Sequence, residues 1–268
     1  MLTLYSFKNS VCAQKVRVTM VEKGLDWETK EVQLFKNEQY DPEYLKLNPK
    51  AVVPTLIHDG RAIIESTLIC EYLDEVFPEP RLVPADPAAK AEMRLWSKAV
   101  DEGLFEGVRE ISFSAMFRER MRNMTEAERE TRFYNVGDPA RRDRYVSAYE
   151  LGADSPYVFQ AVAAYEKAFK NMETALDGRD WLVGEYSLAD INIMPFTARL
   201  DYLTLLDVWT AERPRVRDWW ARVQELPAFQ AEISGRLSED EFAAMAKHGA
   251  AIKPRIGELR AEHLAALH

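Results

Sequence analysis

The sequence predicts an α/β domain with a mixed sheet, followed by an all-helical domain. Three observations carry this expectation. The first eighty residues alternate short β-branched or aromatic runs with helical patterns. The stretch PEPRLVPADPAAK, Pro78 to Lys90, has four prolines and no periodicity, as an interdomain linker would. After Lys90 helical spacing recurs and no convincing strand appears.

Each element follows from local pattern. Leu2 to Phe7 alternates and is rich in strand formers. Val11 to Lys23 carries apolar Val11, Val16, Met20 and Val21 at helical spacing, with Gly24 as a stop. DWETKEVQL reads as a second strand, and DPEYLKLNP as a short helix ended by Pro49. AVVPTLIHDG is a strand with Pro54 inside it, and Asp59-Gly60 signals a hairpin into RAIIES. TLICEYLDEVF is an amphipathic helix stopped by Pro78. The expected domains are therefore 1–80 and 90–268.

In the second domain, AEMRLWSKAVDEGLFEGVREISFSAMF and VFQAVAAYEKAFKNMETALDG have helical periodicity. Ser187 followed by Asp190 is an acidic capping box, which predicts a buried helix starting there. In that motif the hydroxyl accepts from the backbone N–H three residues on, and the carboxylate reaches back. PRVRDWWARVQEL is a further helix, and the C-terminal extension from Ser238 is also read as helical. Residues 118–154 form a strongly charged insert with eight arginines, read as a solvated excursion or as a lid or partner surface.

Composition excludes several function classes. The chain has 268 residues, 47% of them hydrophobic, enough for a sizeable core. Its net charge of -9 speaks against nucleic acid and anionic membrane partners. Two cysteines, Cys12 and Cys70, exclude a disulfide framework. Four scattered histidines and no CxxC predict no metal site. No apolar run approaches the ~18 residues of a membrane span, and MLTLYSFKNS is not a signal peptide. A soluble, cytoplasmic protein is expected.

Three stretches can carry chemistry. In YSFKNSVCAQKVRV a strand runs into a helix through a turn bearing Asn9, Ser10 and Cys12. In VVPTL a proline removes a ladder donor, which suits a cis peptide whose neighbours turn their backbone to a ligand, or an edge strand. In IIESTLI a strand ends at Glu65-Ser66 and a helix begins, which makes an anion site or an ordinary N-cap.

In this order, with a linker and a helical domain after them, these stretches resemble the glutathione S-transferase superfamily of serine type. The markers are Tyr5 to Arg17, LNPKAVVPTL, ESTLICEYLDE and YSLADI. The resemblance implies a thioredoxin-like domain plus an all-α domain, paired as a homodimer, with glutathione as co-substrate. Ser10 falls on the residue that activates glutathione, with Asn9 as a possible second donor. Pro54 falls on the cis-proline, with Val53 offering its backbone to the cysteinyl part. Glu65 and Ser66 would meet the γ-glutamyl group, and Lys50 and Gln39 the glycine carboxylate. Ala51 stands where several relatives place a histidine, a departure at the glycine end.

A free thiol has a pKa near 8.5, so a hydroxyl donor and a helix N-terminus are what the reaction needs to favour the thiolate. The electrophile pocket maps to Phe105, Phe113, Met116, Phe117 and Tyr202, side chains suited to an apolar aromatic molecule and equally to a core. The markers EKGL, HDG, ESTLICEYL and AEMRLW, with the insert and extended C-terminus, are similar to the bacterial β-aryl etherases of lignin breakdown. Two alternatives stay open at this point. One is a non-catalytic module binding glutathione or a protein, and the other a thiol transferase working through Cys12.

Overall fold

The computed structural model describes residues 1–134 and 138–267. Four strands form one sheet in the order β2-β1-β3-β4. They are β1 (Leu2–Ser6), β2 (Glu28–Glu31), β3 (Thr55–His58) and β4 (Arg61–Ile63). β1 and β2 are parallel, whereas β1/β3 and β3/β4 are antiparallel. The expected hairpin joins β3 to β4, with Asp59 and Gly60 both at positive φ, 48° and 80°. Two central residues at positive φ match the twist of the flanking strands.

The helices of the N-terminal part are α1 (Val11–Glu22), α2 (Pro42–Leu47) and α3 (Ser66–Val76). They are followed by α4 (Pro87–Ala99), α5 (Phe105–Ser112), α6 (Arg118–Arg122), α7 (Glu126–Tyr134), α8 (Pro139–Leu151) and α9 (Pro156–Ala175). The last five are α10 (Leu188–Tyr202), α11 (Asp207–Thr210), α12 (Pro214–Glu225), α13 (Pro227–Glu232) and α14 (Glu239–Ala265). No helix among the described residues is long and apolar enough to cross a membrane.

The chain packs as two compact units. The first is Met1–Lys98 with Gly178–Pro195 and Asp218–Ser238, and the second is Ala99–Asp177 with Phe196–Arg217 and Glu239–His268. By packing, then, the units interleave in sequence instead of dividing at the proline-rich stretch. That stretch is fastened down: the Asp74 carboxylate on α3 accepts the backbone N–H of Leu82 (2.8 Å) and Val83 (3.3 Å). Within it Asp86 starts α4, accepting the N–H of Ala89 at 2.8 Å, with Pro87 at the first helical position.

In the first unit α1 is buried on almost every side. Val11, Ala13 and the run from Gln14 to Met20 are all buried. Its cations must therefore find partners. Lys15 donates to Thr67 Oγ1 at 2.6 Å, Lys23 pairs with Asp74, and Arg17 meets Glu232 at 2.9 Å.

The Ser187–Asp190 capping box forms, with one change. The Asp190 carboxylate reaches back to the Ser187 N–H at 3.2 Å. The Ser187 hydroxyl accepts from Ala189, two residues on, instead of three. The Asp190 N–H donates to the Ser187 carbonyl oxygen at 3.1 Å, so it is already occupied. Asp190 also accepts from the Leu182 N–H (3.1 Å) and Trp219 Nε1 (2.9 Å), which ties three segments of the first unit together.

In the second unit Tyr165 and Phe169 of α9 pack with Trp209 of α11 at ring separations of 5.6 to 6.4 Å. Single π-helical turns, Val100–Leu104 and Phe113–Phe117, flank α5. The charged insert keeps its described charged side chains exposed or half-buried, as a solvated excursion would, but it is anchored by apolar residues. Met121, Ala148, Phe133, Tyr145 and Tyr149 form an apolar cluster with Phe113 and Phe117. Arg118 donates to the carbonyls of Tyr149 (2.8 Å) and Glu150 (2.7 Å). Gly152 leaves room for that guanidinium, which a Cβ would meet. The apolar residues that anchor the insert are few and lie at irregular spacing within its charged sequence.

Burial pushes the Asp190 carboxyl up to about 6, while its hydrogen bonds pull the other way. A folded value above the unfolded one means that this group's contribution is full below about pH 4 and is lost as pH rises through about 6. Asp190→Asn removes the ionisation at nearly constant volume. Urea unfolding should show the natural protein losing up to about 3 kcal/mol relative to that variant between about pH 4 and pH 7. A pH-independent difference would contradict this assignment.

Candidate active site

β1 ends at Ser6, and a turn over residues 7–10 delivers the chain to α1. The Ser10 N–H donates to the Phe7 carbonyl oxygen at 3.0 Å. Ser10 is the N-cap of α1, with extended φ −81° and ψ 118°, and its hydroxyl oxygen accepts from the Ala13 N–H at 3.3 Å. A hydroxyl whose oxygen is occupied by the helix retains its hydrogen to donate. Asn9, Ser10 and Cys12 are half-buried. Cys70 is fully buried on α3, with its sulfur accepting from Thr19 Oγ1 at 3.2 Å.

The loop before β3 is stapled from beneath. Tyr44 and Asn48, one helical turn apart around α2, both point polar groups at Val52. The Tyr44 hydroxyl donates to the Val52 carbonyl oxygen at 2.6 Å and the Asn48 amide donates to it at 3.0 Å. Both also meet Thr55 Oγ1, at 3.0 and 3.1 Å. Burial pushes the Tyr44 hydroxyl up to about 12, so it remains a donor at any physiological pH. The Val53–Pro54 peptide is cis. The backbone N–H and C=O of Val53 take no partner among the described residues, although the residue is buried.

Glu65 stands at the start of α3 with φ 69°. Such a conformation costs a non-glycine residue roughly 1–3 kcal/mol. No side chain caps α3, so Ser66 opens the helix as its first residue and is not its N-cap. Glu65 accepts from Lys50 Nζ at 2.6 Å, and both side chains are about half exposed. An exposed pair of this kind contributes about 0–1 kcal/mol and does not offset the backbone cost. Ala51, between Lys50 and the cis peptide, is also at positive φ, 54°. Gln39 is buried on a 3₁₀ turn, and its Oε1 has no hydrogen-bond partner among the described residues.

The first unit thus brings Lys50 to Glu65, and sets Val53 and Pro54 on a braced loop. The residues expected to line an electrophile pocket all lie in the second unit. Phe113 is enclosed by the insert, 4.9 Å from Tyr145 and 6.2 Å from Phe117, ring to ring. Phe105 lies beneath the Arg109 guanidinium at 5.7 Å. Tyr202 packs edge-on against Phe242 of α14 at 4.8 Å. Its hydroxyl is buried with no hydrogen-bond partner among the described residues, and burial raises its pKa. Phe105, Met116, Phe117 and Tyr202 are half-buried, whereas Phe113 is core.

The family model described as Glutathione S-transferase, N-terminal domain, matches residues 4–81, and that of the C-terminal domain matches residues 133–227. Protein LigF of Sphingobium sp. strain SYK-6 is 37% identical over 194 residues, 71% of this chain and 75% of that protein. The chain belongs to the glutathione S-transferase family. The crystal structure of the β-etherase LigF from the same strain superposes with a TM-score of 0.77 at 32% identity, covering 87% of this chain and 99% of that one. The tetrachloro-p-hydroquinone reductive dehalogenase of Sphingobium chlorophenolicum is 29% identical over 239 residues, 85% of this chain and 94% of that protein.

As a member of this family the protein is a glutathione-dependent enzyme of the transferase type. Its thioredoxin-like sheet domain and its helical part are those of the glutathione S-transferase fold. Sequence reasoning missed the residues that support the turn and the loop: Arg17, Tyr44, Asn48 and Thr55. Tyr44 and Asn48 had a signal, since two polar residues four apart share one helix face. Arg17 had a weaker one, a charge inside a helix with no polar side.

Glycine relieves the positive φ of Glu65 and deletes its carboxylate. Glu65→Gly should leave the fold as stable or about 1 kcal/mol more stable, while weakening glutathione binding. Thermal unfolding and calorimetric titration with glutathione test this together. A variant that is less stable and binds glutathione normally would show that Glu65 serves the fold alone.

Proposed function

We propose that the protein activates the thiol of glutathione at Ser10 for attack on an apolar aromatic electrophile, and that this electrophile is a β-aryl ether ketone. The observation that carries the reading is Ser10 itself, at a helix N-terminus with its oxygen already engaged by Ala13. Similarity to the β-etherase LigF supports the choice of electrophile.

In this reading Ser10 donates its hydroxyl hydrogen to the sulfur, and the positive end of α1 favours the thiolate. Asn9 is a second donor from the same turn. Val53 aligns the cysteinyl backbone, Glu65 and Ser66 receive the γ-glutamyl group, and Lys50 with Gln39 the glycine carboxylate. The residues 1–80 hold these groups, and the family resemblance gives the aromatic rings to the half-buried Phe105, Met116, Phe117 and Tyr202, whereas Phe113 is enclosed in the core and does not take this role. The thiolate attacks the carbon that lies α to the ketone. A C–S bond forms, the C–O bond breaks with its electron pair on oxygen, and the phenoxide takes a proton. Electrons balance without an external reductant.

Glutathione consumption against a chloronitrobenzene, an organic peroxide and a β-aryl ether ketone with a fluorescent phenol tests the substrate. Phenol release faster than the other two reactions is expected. Turnover of only the general electrophiles would overturn the ether reading. Ser10→Ala should lower kcat/KM by about 10- to 1000-fold, as loss of one donor to developing charge does. Activity that survives Ser10→Ala but is abolished by alkylation of Cys12 would place the chemistry at the cysteine.

The family resemblance also supports a homodimer. Leu68 on α3 and Leu95 on α4 are 58% and 66% exposed, and the two helices are joined by the Glu71–Arg94 pair at 2.7 Å. A second copy would cover this face. Light scattering should give twice the chain mass, and Leu68→Glu with Leu95→Glu should give the monomer. A natural protein that scatters as a monomer at micromolar concentration removes the dimer.

A further inference from the structure

We propose that Arg17 is a positioning residue for Ser10. Its guanidinium holds the turn of residues 7–10 in the geometry that aims the Ser10 hydroxyl at the glutathione sulfur. The inference rests on the role given to Ser10 above.

Arg17 lies on α1, two helical turns past Ser10, and is 1% exposed. All five of its N–H donors are used. Nη1 donates to Ser6 Oγ at 2.8 Å and to the Phe7 carbonyl oxygen at 3.5 Å. Nη2 donates to the Lys8 carbonyl oxygen at 2.8 Å and to the Glu232 carbonyl oxygen at 3.0 Å. Nε donates to Glu232 Oε2 at 2.9 Å.

Three of these acceptors belong to consecutive residues, Ser6, Phe7 and Lys8, which lead from the end of β1 into the turn. The Phe7 carbonyl is the one that also accepts the Ser10 N–H. The Lys8 N–H is fixed in turn by Glu31 Oε1 at 3.2 Å. The turn is therefore gripped from two sides, and the Arg17 side is a rigid planar fork. Glu232 anchors that fork and is itself held by Arg236, at 2.5 Å from Nε and 2.9 Å from Nη2. Lysine offers three donors on a flexible stem and cannot reproduce five bonds in one plane. A guanidinium serving only to fill the interior has no need of three successive acceptors beside the serine. Hydrogen bonds to a developing thiolate depend on placement at the level of an ångström or less, which is where such a brace acts.

The test is the pKa of the glutathione thiol bound to the enzyme, read from thiolate ultraviolet absorbance against pH, together with steady-state kinetics. Arg17→Lys is expected to raise that pKa and to lower kcat/KM by about 10- to 100-fold. KM for glutathione should change little, because the groups given to its two ends are untouched. Glu232→Gln keeps the guanidinium and loosens its anchor, so a smaller change of the same sign is expected, and it serves if Arg17→Lys does not fold. The double variant Ser10→Ala with Arg17→Lys should have the same thiol pKa as Ser10→Ala alone, the non-additivity of groups acting as one. An unchanged thiol pKa in folded Arg17→Lys or in Glu232→Gln overturns the inference, as do additive losses in the double variant. If Ser10→Ala itself leaves the thiol pKa unmoved, the role of Ser10 has failed and the positioning role falls with it.

Discussion

The first unit depends on one constraint: α1 has almost no face to the solvent. A helix buried all round can carry charge only where each charge meets a partner, because an unpaired ion in the interior costs several kcal/mol. Lys15, Arg17 and Lys23 each satisfy this, and each partner fixes a different part of the unit. Lys15 binds α3 at Thr67, and Lys23 meets Asp74, which also holds Leu82 and Val83. Arg17 takes the turn before α1 and the segment around Glu232. Burial lowers Arg17 to about 10, with Arg236 adding to the shift and Glu232 and Glu31 opposing it, so it stays charged at neutral pH. The helix that presents Ser10 is thus also the hub through which sheet, linker and a distant C-terminal segment are joined.

Around the candidate site, backbone features gather that the fold itself does not favour. Glu65 and Ala51 are at positive φ, the Val53–Pro54 peptide is cis, and Val53 leaves two backbone groups without a partner among the described residues. Weak surface interactions do not explain these, since the Lys50–Glu65 pair is exposed. Beneath Val53 lies a braced layer, where Tyr44 and Asn48 both donate to the Val52 carbonyl and both meet Thr55 Oγ1. A rigid support with unsatisfied backbone on its open side is what recognition of a peptide-like molecule requires.

The second unit solves a different problem. Its insert carries high charge and few apolar residues, yet Met121, Tyr145, Ala148 and Tyr149 suffice to seat it on the π-helical turn at Phe113. Gly249 has a similar local meaning: a Cβ there would collide with the Leu203 carbonyl oxygen, so α14 approaches that backbone closely.

Much of this was legible in the sequence. The order of strands and helices, the hairpin at Asp59-Gly60, Ser10 at a helix start and the capping box at Ser187 follow from local rules that depend on neighbours within four or five residues. The family resemblance rests on the same short motifs. Tertiary structure alone decided which distant groups meet. That Glu232 anchors Arg17 across more than two hundred residues, that the proline-rich stretch packs into the first unit, and that Lys50 lies against Glu65 are outcomes of the three-dimensional packing. No local pattern encodes them, because a buried donor is satisfied by whichever acceptor the packing brings within about 3 Å, at any separation along the chain.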